Sequence, residues 1–176
     1  MVTYIKGNDT STFGGEIKTN NDAVISNRPA FSATLSANQT GVSSATWTKI
    51  IFDTEILDTN SAFDNATNYR FTVPSGKSGK YFVSWSIRAE SETTNNLYVL
   101  QAQTYKNGIP EVNDQIGIQE STTSTYYANK FSTAFSRVYD LSDGDYLELY
   151  VKVTTGSGTA RIMPNGTFFN AHKLIV

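Results

Sequence analysis

Alternation of apolar and polar side chains, broken at short intervals by Gly, Asn, Asp and Ser, is the feature that most limits what this chain can fold into. Across residues 143–153 the apolar Leu147, Leu149, Val151 and Val153 fall at every second position, with Tyr146, Glu148, Tyr150 and Lys152 between them. Successive side chains on a strand point to opposite faces, so one face here is core and the other looks outward. The outward face mixes two Tyr with opposite charges, which suits either a solvated surface or a packed subunit contact. Residues 79–90 repeat the pattern, with Tyr81, Val83, Trp85 and Ile87 against Phe82, Ser84, Ser86 and Arg88. Residues 129–139 set Phe131, Thr133, Phe135 and Tyr139 against Ser132, Ala134, Ser136 and Val138; the break over 140–145 then predicts a hairpin into the 146–153 strand. A fourth strand over 96–105 ends at Asn107-Gly108, a tight-turn signal. Shorter strands are expected at 30–35, 46–52, 69–73 and 167–176. No stretch sustains a 3.6-residue period, so antiparallel strands in a sandwich or barrel are predicted and a parallel α/β sheet is excluded. Residues 111–124 are polar without alternation and are expected to form a long exposed loop, the kind of segment that carries recognition.

At 176 residues the chain fits one ordinary domain with or without an extension, and ten Phe, ten Tyr and two Trp supply a core. Fourteen Lys and Arg are scattered along a chain of net charge -2, which argues against a phosphate-tracking surface and hence against nucleic acid. There is no Cys, so disulfides, thiolate nucleophiles and Cys-based metal centres are excluded. No run of eighteen apolar residues occurs and the first ten residues do not resemble a signal peptide, so no membrane insertion is expected. Residues 1–28 are rich in Thr, Asn, Ser, Gly and Asp, with apolar residues too widely spaced for a core face. They read as an arm, which gains order by lying on something else: an attachment or subunit-crossing element ahead of a domain over 29–176.

Five segments within 29–176 resemble, in order, the C1q-like domain of the C1q and tumour necrosis factor superfamily. They are Pro29-Ala30-Phe31-Ser32-Ala33; Ile51-Phe52-Asp53 with Asp64-Asn65, Phe71 and Val73-Pro74-Ser75-Gly76; Gly79-Lys80-Tyr81-Phe82-Val83; Leu141-Ser142-Asp143-Gly144-Asp145-Tyr146-Leu147-Glu148-Leu149; and Phe168 to Leu174. The resemblance implies an all-β, two-sheet antiparallel jelly roll that assembles as a homotrimer. It implies no single ligand. Burial against a sister copy would account for the Tyr-bearing face, so Tyr146, Glu148, Tyr150 and Lys152, with Phe168, are the expected trimer contact. The lack of a collagen-like stalk, of Cys and of a signal peptide departs from host-defence members. A Thr/Asn/Gly-rich arm ahead of such a domain looks like the versions found among bacteriophage virion proteins.

The single histidine, His172, leaves no Ser-His-Asp arrangement and no two-histidine metal site within one chain, although three copies about an axis could share a metal. Asp53, Asp58 and Asp64, with Glu55, form an acidic cluster that could coordinate calcium or serve a carboxylate-based glycosidase; the alternative is turn chemistry. For Asp140, Asp143 and Asp145 turn chemistry is the favoured reading. Tyr126 and Tyr127, beside the long polar loop, are the candidate ligand-binding residues. The sequence therefore points to a non-enzymatic trimer on a virion surface, as a capsid decoration or fibre tip held to a capsid or tail protein by its arm. A soluble, extracellular lectin or adhesion module that binds cell-surface glycan or protein is the alternative.

Overall fold

A computed structural model describes residues 28–93, 96–120 and 127–174, together with the backbone of two short strands, β1 (Lys18–Thr19) and β2 (Asp22–Ala23), which pair antiparallel with each other. The rest of residues 1–27, the bulk of the expected arm, lies outside the described residues.

From there the chain runs through β3 (Ala30–Thr34), β4 (Gln39–Val42), β5 (Trp47–Lys49), β6 (Thr54–Asp58), β7 (Phe63–Asp64) and β8 (Arg70–Thr72). Next come the long β9 (Gly79–Ser91), β10 (Leu97–Lys106), β11 (Ile109–Pro110) and β12 (Ile116–Gln119). The last four are β13 (Lys130–Leu141), β14 (Tyr146–Thr155), β15 (Ala160–Ile162) and β16 (Phe168–Lys173). One sheet is ordered β11-β10-β14-β8-β7, with β12 on β10 and β5 on β14. The other is ordered β4-β15-β9-β16-β3-β6, with β13 along the opposite edge of β9. Among the described residues there is no α-helix, and every ladder is antiparallel, as the alternation predicts.

The inward rows fill the space between the sheets. Tyr81, Val83, Trp85 and Ile87 of β9 face Leu147, Leu149, Val151 and Val153 of β14 across the core, and all eight are buried. At one end Phe31 stacks on Phe63 and Phe71, with ring centroids 4.8 and 4.9 Å away, and meets Phe169 edge-on at 5.0 Å. The Trp85 indole N–H donates to the Thr104 hydroxyl at 3.1 Å, so the largest core side chain leaves no buried donor unmet. Asn107 and Gly108 both have positive φ, 54° and 76°, the geometry of the two-residue turn their sequence announced.

Two expectations are corrected. Strands β13 and β14 do not form a hairpin: β13 pairs with β9 and β14 with β10, so residues 142–145 cross from one sheet to the other. That crossing is held by Asp143, whose carboxylate accepts from the backbone N–H groups of Gly76, Lys77 and Ser78 in the neighbouring turn. The segment 111–124 is not one long loop. It holds a 3-10 turn (Val112–Asp114) and then β12, which adds to the edge of β10, while residues 121–126 lie outside the described residues. Alternation is invisible in β12 because the strand spans only four residues and all four are exposed.

Ala45, just before β5, sits at φ 58° while its N–H donates to the Val153 carbonyl at 2.7 Å. A Cβ is costly in that left-handed region, so Ala45→Gly should raise the unfolding free energy by about 0.5–1 kcal/mol in urea titration. A loss of stability would mean the site is not strained.

Candidate functional site

The sandwich presents two broad outward faces on opposite sides. On the first, β14 contributes Tyr146, Glu148, Tyr150 and Lys152, and each is met by another side chain of the same face. The Arg70 guanidinium lies 4.0 Å from the Tyr146 ring centroid, and the Lys49 ammonium pairs with Glu148. Tyr150 lies against Tyr105 with ring centroids 4.0 Å apart, and the Lys152 ammonium is 5.2 Å from the Trp47 ring centroid. Gln101 and Gln103 of β10 stand opposite Lys152 and Tyr150 in register. Burial raises the hydroxyl pKa of Tyr105 and Tyr150, with the Glu148 charge adding to the effect at Tyr150.

On the opposite face, β16 places His172 and Phe168 outward, next to Phe82 and Ser86 of β9. Val138 and Ala134 of β13 extend these rows on the other side. Between them lie Ser32, Asn170, Ser84 and Ser136. Phe168 is 38% exposed and Val138 46%, while the rings of Phe82 and His172 are 5.5 Å apart. Phe82 is the one aromatic side chain in an otherwise polar row of β9, and that exception in the sequence marks this face.

The five residues expected at a trimer contact therefore do not share a surface. Tyr146, Glu148, Tyr150 and Lys152 lie on one sheet and Phe168 on the outside of the other. Alternation separated the two faces of β9 and β14 correctly, but which strands share a sheet depends on tertiary pairing.

Asp53, Asp58 and Asp64 are likewise not gathered into one cation site. Asp53 accepts from the backbone and hydroxyl of Ser36 and from Thr54. Burial pushes its carboxyl up, and the Ser36 and Thr54 hydrogen bonds overcome that and leave it lowered. Asp58 accepts from the N–H groups of Asn60, Ala62 and Phe63, and Asp64 from those of Ala66, Thr67 and Asn68. The latter bonds, led by Thr67, hold the Asp64 carboxyl down at about 2. No group of three or more His, Cys, Asp or Glu among the described residues is placed to hold a metal ion. Each acid organises a turn, as Asp143 and Asp145 do; Asp145, bonded by Asn107 and Lys106, is lowered to about 2.

Tyr127 is half-buried, its ring 5.2 Å from that of Tyr98, and Tyr126 lies outside the described residues. His172 is exposed near the end of β16.

Two ionic clusters are not legible in the sequence, because their partners are far apart in it. Glu90 is buried and accepts from Lys130 and Asn129 at 3.0 Å and from Arg161, which ties β9 to β13 on one side and β15 on the other. Burial pushes its carboxyl up, and the Arg161 and Lys130 hydrogen bonds and charges overcome that and hold it lowered. A lowered carboxyl stabilises the fold above its unfolded pKa, and the benefit is lost as pH falls through the folded value. Glu90→Gln should accordingly cost about 1–2 kcal/mol near neutral pH, since both cations keep access to water. In urea titrations the variant and the parent should converge in acid; a gap that persists there would contradict the ionic account. The second cluster is Asp114, fully buried and paired with Arg137 at 2.6 Å.

Two seven-stranded antiparallel sheets in this order make a jelly roll of the kind seen in a solved tumour necrosis factor structure. Among solved structures, murine APRIL is similar with a TM-score of 0.55 at 12% identity, over 84% of this chain and 99% of that one. Eiger TNF from S. frugiperda is similar with a TM-score of 0.55 at 14% identity, over 84% of this chain and 92% of that one. The globular domain of zebrafish complement 1qA protein gives 0.48 at 17% identity, over 84% and 98%. At these identities the likeness concerns the fold. No family model and no curated protein matches the chain. Among the described residues no helix is long and apolar enough to cross a membrane.

Proposed function

We propose that the chain is a non-catalytic binding head that works as a homotrimer, carried on a larger particle by residues 1–28. The observation that carries this reading is the outward face of β9, β13 and β16, where Phe82, Phe168 and Val138 surround a row of small polar residues. Such a flat face of small side chains edged by aromatic rings suits a close protein contact.

Closed threefold assembly needs two different patches on each copy, because a heterologous contact forms a ring only when its rotation closes. Patches on the two opposite faces of a sandwich would propagate a filament. A face and an edge can close, and the edge where β12 and β13 run side by side leaves Ile116 and Ile118 partly exposed, at 37% and 39%. The edge of one copy is proposed to seat on the Phe82–Phe168 face of the next. The β14 face, on this reading, is left outside the trimer.

Size-exclusion chromatography with light scattering tests the assembly. The expected particle has three times the 19.4 kDa chain mass, and Phe82→Glu with Phe168→Glu should yield monomers that keep their far-ultraviolet dichroism. A monomeric parent protein would overturn the reading. Attachment to a virion through residues 1–28 rests on the composition of that segment and its likeness to phage versions. Co-sedimentation with phage particles, lost on deleting residues 1–27, is the expected result; a head that never associates with particles would favour the soluble adhesion module instead.

A further inference from the structure

We propose that the outward face of the β14 sheet is a binding platform for acidic glycans, chains of pyranose rings that carry carboxylates. The inference rests on reading the domain as a binding head, and it does not need the trimer. Three features of this face point to that ligand.

Aromatic surface comes first. Trp47, the Tyr105–Tyr150 pair and Tyr146 lie on one face of adjoining strands, all half-buried, so ring surface is offered to solvent rather than folded into the core. From Tyr146 to Lys152 the face runs about 20 Å along β14, long enough for several sugar units in a row. The apolar face of a pyranose packs on such rings as other amphipathic groups do, burying C–H surface while its hydroxyls stay polar.

Hydrogen-bonding groups are interleaved with the rings. The primary amide of Gln101 stands beside Lys152, half-buried, and offers both donors and an acceptor to hydroxyls, whereas Gln103, opposite Tyr150, is buried and supports the face from beneath.

Charge selects the class of sugar. Lys49 is neutralised by Glu148 and Lys106 by Asp145. Arg70 and Lys152 have no carboxylate partner among the described residues; instead they lie over Tyr146 and Trp47 at the two ends of the row. A face with two unpaired cations flanking stacked rings is complementary to a ligand that supplies carboxylates along a saccharide chain. These cations also set the face apart from the overall charge of the chain, which is -2.

The test uses the full chain and two defined probes, hyaluronan hexasaccharide and an α2,8-linked oligosialic acid, with neutral chitohexaose and polyglutamate as comparators, in isothermal titration. At least one acidic saccharide should bind at least tenfold more tightly than both comparators. Trp47→Ala and Tyr150→Ala should each weaken that binding at least tenfold, and Arg70→Gln with Lys152→Gln should remove the preference for acidic over neutral sugar. Binding of neither acidic probe, or binding as tight to polyglutamate, would overturn the proposal. Light scattering on the same variants separates it from the assembly: Trp47→Ala and Tyr150→Ala should leave the oligomer intact, and their dissociation into monomers would mark this face as a subunit contact and overturn the inference. Phe82→Glu with Phe168→Glu should dissociate the trimer yet keep sugar binding in each copy.

Discussion

Replacing Phe31 by Ala is expected to lower the unfolding free energy by about 4 kcal/mol or more, enough to leave much of the chain unfolded at physiological temperature. Phe31 is 2% exposed and touches three other rings, Phe63, Phe71 and Phe169, which come from both sheets. Truncation removes the transfer energy of one ring and leaves a cavity that three rigid neighbours cannot collapse into; it also deletes ring pairs worth about 0.5–1.5 kcal/mol each. Phe31→Leu keeps most of the volume and should cost about 1–2 kcal/mol, mainly the ring contacts. Urea denaturation of the two variants is the check. A loss under about 2 kcal/mol for Phe31→Ala would show that the cluster relaxes, and that it does not pin the sheets together at this end.

Arg137→Met should have the second large effect, about 3 kcal/mol near neutral pH, because it strands a buried charge. Asp114 is 0% exposed, its Oδ1 meets Arg137 at 2.6 Å, and its Oδ2 has no hydrogen-bond partner among the described residues. Burial already raises the Asp114 carboxyl above its ordinary value, with Arg137 opposing the rise. Without the guanidinium it rises further, so between the unfolded and folded values the native state holds the extra proton. Stability conferred by that proton is present at low pH and is lost as pH climbs through the folded pKa. The deficit of Arg137→Met should therefore shrink when the titration is repeated at about pH 5. Adding Asp114→Asn should recover most of the loss at neutral pH, since a neutral amide of the same shape carries no charge to strand. A deficit independent of pH would assign the effect to lost packing of the Arg137 side chain, whose guanidinium also lies 5.5 Å from the Tyr139 ring centroid.

Long strands were legible, as were the short β3, β5 and β8, but five other short strands were not. In β9 and β14, thirteen and ten residues long, several periods of alternation outweigh any single exception, and both the strand and its inward row could be read directly. The strands β4, β6, β7, β12 and β15 have five residues or fewer, too few to show a period, and β6 exposes Ile56 and Leu57 on successive positions. Of the candidate sites, the outward row of β14 was visible because Tyr146 and Tyr150 interrupt a charged series. Its partners Arg70, Trp47, Lys49 and Tyr105 were not, because they arrive from three other strands. The acidic residues were visible as a cluster in sequence, yet each spends its oxygens on nearby N–H groups, a choice made by loop geometry.

By itself the order of residues determined the class of fold, the inward rows of β9 and β14, the tight turn at Asn107-Gly108 and the absence of cysteine chemistry. These follow from a two-residue period, a local turn requirement and composition, none of which needs knowledge of distant neighbours. Tertiary structure alone decided that β13 and β14 belong to different sheets, that Phe168 faces away from Tyr146 and Tyr150, and that Asp114 finds Arg137. Alternation says which way a side chain points from its own strand. Which strand lies beside it, and so what surface the side chains build together, is set by the competition among all strands to bury their apolar rows at once.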